Sequence, residues 1–194
     1  MRLTRTALLA AVALLAAPLA FAQVPQKATI TATGSAAQIC TLGAPQVNVG
    51  AATNVQSVSG STVMLSDLAD DNSFSTKATD FTATFAAMCN FNHKLTVSSD
   101  YNGLWLVGGI GTHPGFADAV PYQATFSWGG QNGSLTATAA SESEVDSPID
   151  VNQPAAGNIV IHFEVDQGAT NGGNGVPLVA GTYQDILFVT LGAQ

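Results

Sequence analysis

The residues able to do chemistry in this chain are few: His93, His113 and His162, the cysteines Cys40 and Cys89, and an acidic run holding Glu142, Glu144, Asp146 and Asp150. Nucleophilic hydrolysis needs a serine or cysteine beside a histidine that a carboxylate orients. The sequence has no G-x-S-x-G elbow, no H-E-x-x-H pair and no phosphate-cradling Walker loop. A Ser/His/Asp triad could be drawn only by choosing freely among scattered residues, so the reading is of surface or strand-end histidines and no enzyme. Calcium takes hard oxygen ligands on a flexible loop, but the acidic run lacks the glycine and terminal glutamate of an EF-hand loop, as does "DLADDN" at 67–72. A solvated acidic loop is expected there, with no metal and no cofactor.

The cysteines suit zinc no better. Neither has a C-x-x-C partner, and His93, four residues after Cys89, cannot complete a four-ligand site alone. Their use follows from the first residues, "MRLTRTALLAAVALLAAPLAFAQ", which open with Arg2 and Arg5, run apolar from Ala7 and reach the small-x-small pattern Ala20-Phe21-Ala22. Residues 1–22 read as a secretion signal. The run is short for a membrane span and carries Pro18, and Gln23 rather than a cysteine follows the cut, so no membrane anchor is expected. Two free thiols would be the exception in an oxidising compartment, and Cys40 and Cys89 are predicted to pair. Closing their 48-residue loop is worth about 4 kcal/mol on chain-entropy grounds.

Removing the signal leaves 172 of 194 residues, enough for one domain with a real core. The formal charge of −8 becomes −10 once Arg2 and Arg5 leave, with only Lys27, Lys77 and Lys94 against thirteen acidic residues. No nucleic-acid or anionic-membrane partner is expected of such a chain.

The elements that would position these residues alternate with period two and are punctuated by turn residues. "KLTVSSDYNGLWLV" predicts a hairpin reversing at Asn102-Gly103, and "VPYQATFSWGGQNGSLTATAA" a second with a Gly-rich turn containing Asn132-Gly133. "NIVIHFEVD" puts Ile159, Ile161, Phe163 and Val165 on one face, with Val160, His162 and Glu164 on the other. A short strand is expected around Val63 to Leu65, and "SESEVDSPIDVNQPAAG" reads as an acidic surface loop. A final strand, "TYQDILFVTLGAQ", runs almost to the last residue with nothing after it to pair. About eight strands favour an antiparallel two-sheet sandwich. Trp105, Trp128, Tyr101 and Tyr122 could line a sugar-binding face, with core packing the first expectation.

"ATITATGSAAQIC", residues 28–40, poses the functional question. From Val24 the even positions read Val24, Gln26, Ala28, Ile30, Ala32 and Gly34, a small and mostly apolar face, while Thr29, Thr31 and Thr33 make a polar one. One reading is the first strand of the chain's own sandwich. The other is a donor strand, an N-terminal extension that completes the sheet of the next copy by main-chain hydrogen bonds, with alternate side chains in pockets.

This extension leading to a cysteine, a strand "FTATFAAMCNFNHKLTVSSDYNG" ending at the second cysteine, the middle "VPYQATFSWGG" and the terminal "GTYQDILFVTLGAQ" together resemble the spore coat U-type pilins of archaic chaperone–usher fimbriae. The resemblance spans most of the mature chain and is carried best by the Gly-Thr-Tyr-x-Asp strand and the Cys-to-Cys arrangement. It implies an incomplete immunoglobulin-like β-sandwich lacking its last strand, occupying 37–194 behind an extension at 23–36. It also implies a periplasmic chaperone, an outer-membrane usher and other pilin subunits as partners, and export to the cell surface for adhesion or biofilm formation. The donor residues would be Val24, Ala28, Ile30, Ala32 and Gly34. The alternative is a self-complete secreted β-sandwich, a binding module or tip adhesin for carbohydrate or protein.

Overall fold

The computed structural model describes residues 28–109 and 113–194; the predicted signal at 1–22 and Val24 lie outside them. The chain divides into two units, Met1–Ala36 and Ala37–Gln194. Of the first, residues 28–36 are exposed and form no strand. Ala28, Ile30, Ala32 and Gly34 therefore do not begin the chain's own sandwich, and the first strand starts at Cys40. Ile30 is 94% exposed.

The second unit is all-β and antiparallel. Its larger sheet orders β1 (Cys40–Val47), β4 (Thr79–Cys89), β11 (Ala155–Val165), β8 (Tyr122–Trp128) and β9 (Gln131–Ala137). The facing sheet has β10 (Val145–Val151), β5 (His93–Ser99) and β13 (Leu187–Ala193), with β5 in the middle. Two small pieces complete it: β12 (Tyr183–Gln184) with β6 (Leu104–Leu106) and β7 (Ala119–Val120), and a hairpin of β2 (Val55–Ser59) and β3 (Thr62–Leu65).

Alternation builds the core between these layers. Phe81, Phe126, Trp128, Leu135, Ile159, Ile161 and Phe163 come from the larger sheet and Leu95, Val97 and Val151 from the smaller, with Phe163 stacked on Phe81 at 4.8 Å and tilted against Tyr122 at 4.5 Å. Registers place Cys40, Cys89, His93, Ala155 and Ala193 at one end of the sandwich, here the near end. Thr79, Ser99, Tyr122, Val145, Val165 and Leu187 lie at the far end, where the longer loops also gather.

Three expectations are corrected. Asn102-Gly103 does turn the chain, with φ of 54° and 146°, but β5 and β6 do not pair, because β5 is already occupied on both edges by β10 and β13. The β8–β9 hairpin turns at Gly129-Gly130, both at positive φ, while Asn132 and Gly133 sit inside β9 opposite Ser127 and Phe126. A Cβ at Gly133 would collide with the Phe126 ring, so that glycine serves close packing rather than the turn. Lastly, 145–151 is a strand and not a loop. Pro148 sits on β10, an edge strand, where a missing N–H is tolerated.

Candidate functional site

The two flanks of the sandwich differ. On one, the edge strands β9 and β10 lie against each other, and the Ser147 hydroxyl donates to the Ser134 carbonyl at 2.8 Å. On the other, β1 and β13 are the edges, and among the described residues no ladder joins them or pairs with the outer edge of either.

This open flank is apolar. Register sets Leu42 opposite Ala87, Pro45 opposite Phe85 and Val47 opposite Ala83, the core-facing side of β4, yet Leu42 is 39% exposed and Phe85 only half-buried. On β13, Leu187, Val189 and Leu191 sit opposite buried Ser99, Val97 and Leu95, and all three are likewise half-buried. Core-facing apolar side chains left partly in water beside two unpaired edges make an apolar groove along this flank.

Its near end is anchored by covalent and polar bonds. Cys40 and Cys89 are disulfide-bonded, as predicted, directly across the β1–β4 ladder. The Asn90 side chain continues the pairing one step outward: its Nδ2 donates to the Ala37 carbonyl and its Oδ1 accepts from the Ile39 N–H, both at 2.8 Å. The disulfide and this clamp set where the extension leaves the domain.

At the far end Asp185 fixes β13. Its carboxylate accepts from the hydroxyls of Ser99 and Tyr122, each at 2.6 Å, and from the backbone N–H groups of Tyr101, Gly103 and Ile186. Asp185 thus ties the end of β5, the turn after it and the start of β8 to the residue before β13. Two residues earlier the Tyr183 hydroxyl donates to the Val179 carbonyl at 2.8 Å. The Gly-Thr-Tyr-x-Asp stretch singled out in the sequence is therefore the element that sets the register of the open edge.

Burial, helped by the neighbouring Asp118, pushes the Tyr183 phenol up from 10.0 to about 12, and burial with the Asp185 carboxylate raises Tyr122 further in the same direction. A raised phenol pKa means that the unfolded chain gives up its proton first. The contribution is complete below pH 10 and is lost progressively as pH rises toward 12. Urea midpoints measured from pH 8.5 to 11.5 are expected to fall above about pH 10, and Tyr183→Phe to flatten that fall; equal slopes in the two proteins would refute the assignment.

The other sequence candidates are dispersed. His93 is fully buried, not on the surface: the Trp128 indole donates to its Nε2 at 2.6 Å, which leaves Nδ1 to donate to the Phe91 carbonyl at 2.8 Å. Burial at the start of β5 escaped the sequence reading because the apolar partner, Trp128, comes from the other sheet. His162 lies on the outer face of β11 with Nε2 2.7 Å from an Asp80 carboxylate oxygen. Trp128 and Tyr122 are buried, which leaves no exposed four-aromatic face for a sugar. Among the described residues no three His, Cys, Asp or Glu side chains converge as metal ligands. Comparison of the chain with protein-family models, curated proteins and solved structures finds no match.

Proposed function

We propose that this chain is a structural subunit of a surface fibre, assembled by donor-strand exchange. The observation that carries this reading is the open β1–β13 flank, with Leu42, Phe85, Leu187, Val189 and Leu191 facing the core side yet partly in water. A strand laid along β13 would pair its free edge and bury those side chains, and sheet-edge addition of this kind draws affinity from the main chain and specificity from alternate side chains. The chain carries a segment of suitable chemistry. Ala28, Ile30, Ala32 and Gly34 are exposed, belong to none of its own sheets and share one alternating face. In this reading the sandwich is immunoglobulin-like and incomplete, as the resemblance to spore coat U-type pilins implies. Residues 24–34 of a second copy complete it.

An open apolar edge is an aggregation hazard. A periplasmic chaperone strand would cover it first, an outer-membrane usher would exchange that strand for the next subunit, and Cys40–Cys89 would form during export. No residue acts catalytically. The test is a denaturing gel of the surface fraction, unboiled against boiled, beside a variant lacking residues 24–34. A ladder that resists detergent, collapses on boiling and disappears in the variant is expected. A single monomer band in the unaltered protein overturns the reading in favour of a self-complete binding module.

A further inference from the structure

The two ends of the sandwich carry exposed apolar side chains, Phe116 at one and Ile39 at the other, that donor pairing alone leaves unused. At the far end lies an open cleft of about 390 Å³ in which Phe116, Val176 and Pro177 form an apolar wall beside Asn174 and glycine backbone, with Phe116 54% exposed. Its walls are braced: Ala117 N–H donates to the Pro177 carbonyl at 2.8 Å, and Val179 N–H to the Ala117 carbonyl at 2.9 Å. At the near end Ile39 is 52% exposed, yet its backbone is held by Asn90 on one side and the disulfide at Cys40 on the other. An apolar knob on a rigid base loses little entropy when it docks.

Geometry brings the two together. Between Gly34, the last residue of the alternating face, and Ala37, whose carbonyl Asn90 holds, stand only Ser35 and Ala36. The three Cα–Cα steps from Gly34 to Ala37 span at most about 10 Å when extended, so the near end of the donating copy must lie close to the place where Gly34 leaves its neighbour's groove. All ladders within the described sheets are antiparallel, and a donor antiparallel to β13 runs from the acceptor's near end to its far end. Gly34 then emerges among the far-end loops.

Resting on the fibre reading above, we infer that Ile39 of each copy seats in the cleft beside Phe116 of the next. The contact is head-to-tail between different surfaces, which propagates a filament and does not close a dimer. It would stiffen the joint between subunits, which a two-residue linker by itself leaves free to swing.

The test uses assembled fibres of four proteins: the unaltered chain, Ile39→Cys, Phe116→Cys and the double variant, oxidised mildly and boiled without reductant. Both positions are exposed, so the fold tolerates the change. The double variant is expected to give a covalent ladder, with crosslinking about tenfold above either single variant because the two thiols are held at high effective concentration. Fibres that show the heat-labile ladder but no such excess would overturn the contact and leave donor exchange standing. Absence of any ladder in the unaltered protein would sink both. Should the added thiols disturb the native disulfide, Ile39→Lys and Phe116→Glu read the same contact. Each alone is expected to lower the temperature at which the ladder collapses and the pair to restore it, and singles without effect would overturn it.

Discussion

Asp185→Ala is expected to be among the most damaging single substitutions in the domain, because one carboxylate satisfies five donors drawn from three separate parts of the chain. Ser99 is fully buried and Tyr122 nearly so, and a buried donor left without a partner costs about 1–3 kcal/mol. Two such hydroxyls and the turn amides together amount to about 4 kcal/mol or more, comparable with the whole stability of many domains. Tyr122→Phe removes one donor and its need for a partner together, and should cost only about 1 kcal/mol. Urea unfolding followed by tryptophan fluorescence checks both. An Asp185→Ala protein within 1 kcal/mol of the parent, roughly the worth of one ordinary hydrogen bond, would show that the cluster is not what holds β13 in register. On the fibre reading proposed above, the same variant should lose assembly even where enough of it folds, since the proposed acceptor edge begins at the residue after Ile186.

Replacing both Cys40 and Cys89 by serine is the second large effect, about 4 kcal/mol for a loop of this length. Its structural expression should be local. β1 pairs only with β4, and that ladder is interrupted between Leu42 and Pro45, so the disulfide secures the one irregular ladder of the larger sheet. Amide exchange in residues 41–47 should accelerate strongly in the variant while the unbroken eleven-residue β4–β11 ladder stays protected. Uniform acceleration across both would mean that the bridge stabilises the domain as a whole and not the β1 wall of the groove.

Much of this was legible from alternation. The core face of β11, the strand at Val63–Leu65, the disulfide and an all-β antiparallel domain follow from period two, turn residues and the expectation of export. Partner choice was not legible. Asn102-Gly103 turns the chain as its residue types require, but whether the flanking strands pair depends on β10 and β13, which lie far off in sequence. The acidic run concealed β10 for a related reason. Val145, Ile149 and Val151 alternate with Asp146 and Asp150, yet charge and Pro148 outweigh three aliphatics in any local reading. Of the candidate site, the alternating extension and the Gly-Thr-Tyr-x-Asp stretch were visible. The β1 and β4 walls of the groove were not, because Leu42 and Phe85 differ from core residues only in lacking a neighbour.

The registers of β5 also govern time. Leu95 must find Ile149 on one side and Leu191 on the other, partners 54 and 96 residues along the chain. Non-local antiparallel pairing of this kind folds in milliseconds to seconds, where local structure takes microseconds. Until β13 docks, the central strand of the smaller sheet has one bare edge and the larger sheet has no complete facing layer. That interval is a window for mispairing, and it closes only when the last strand of the chain has docked.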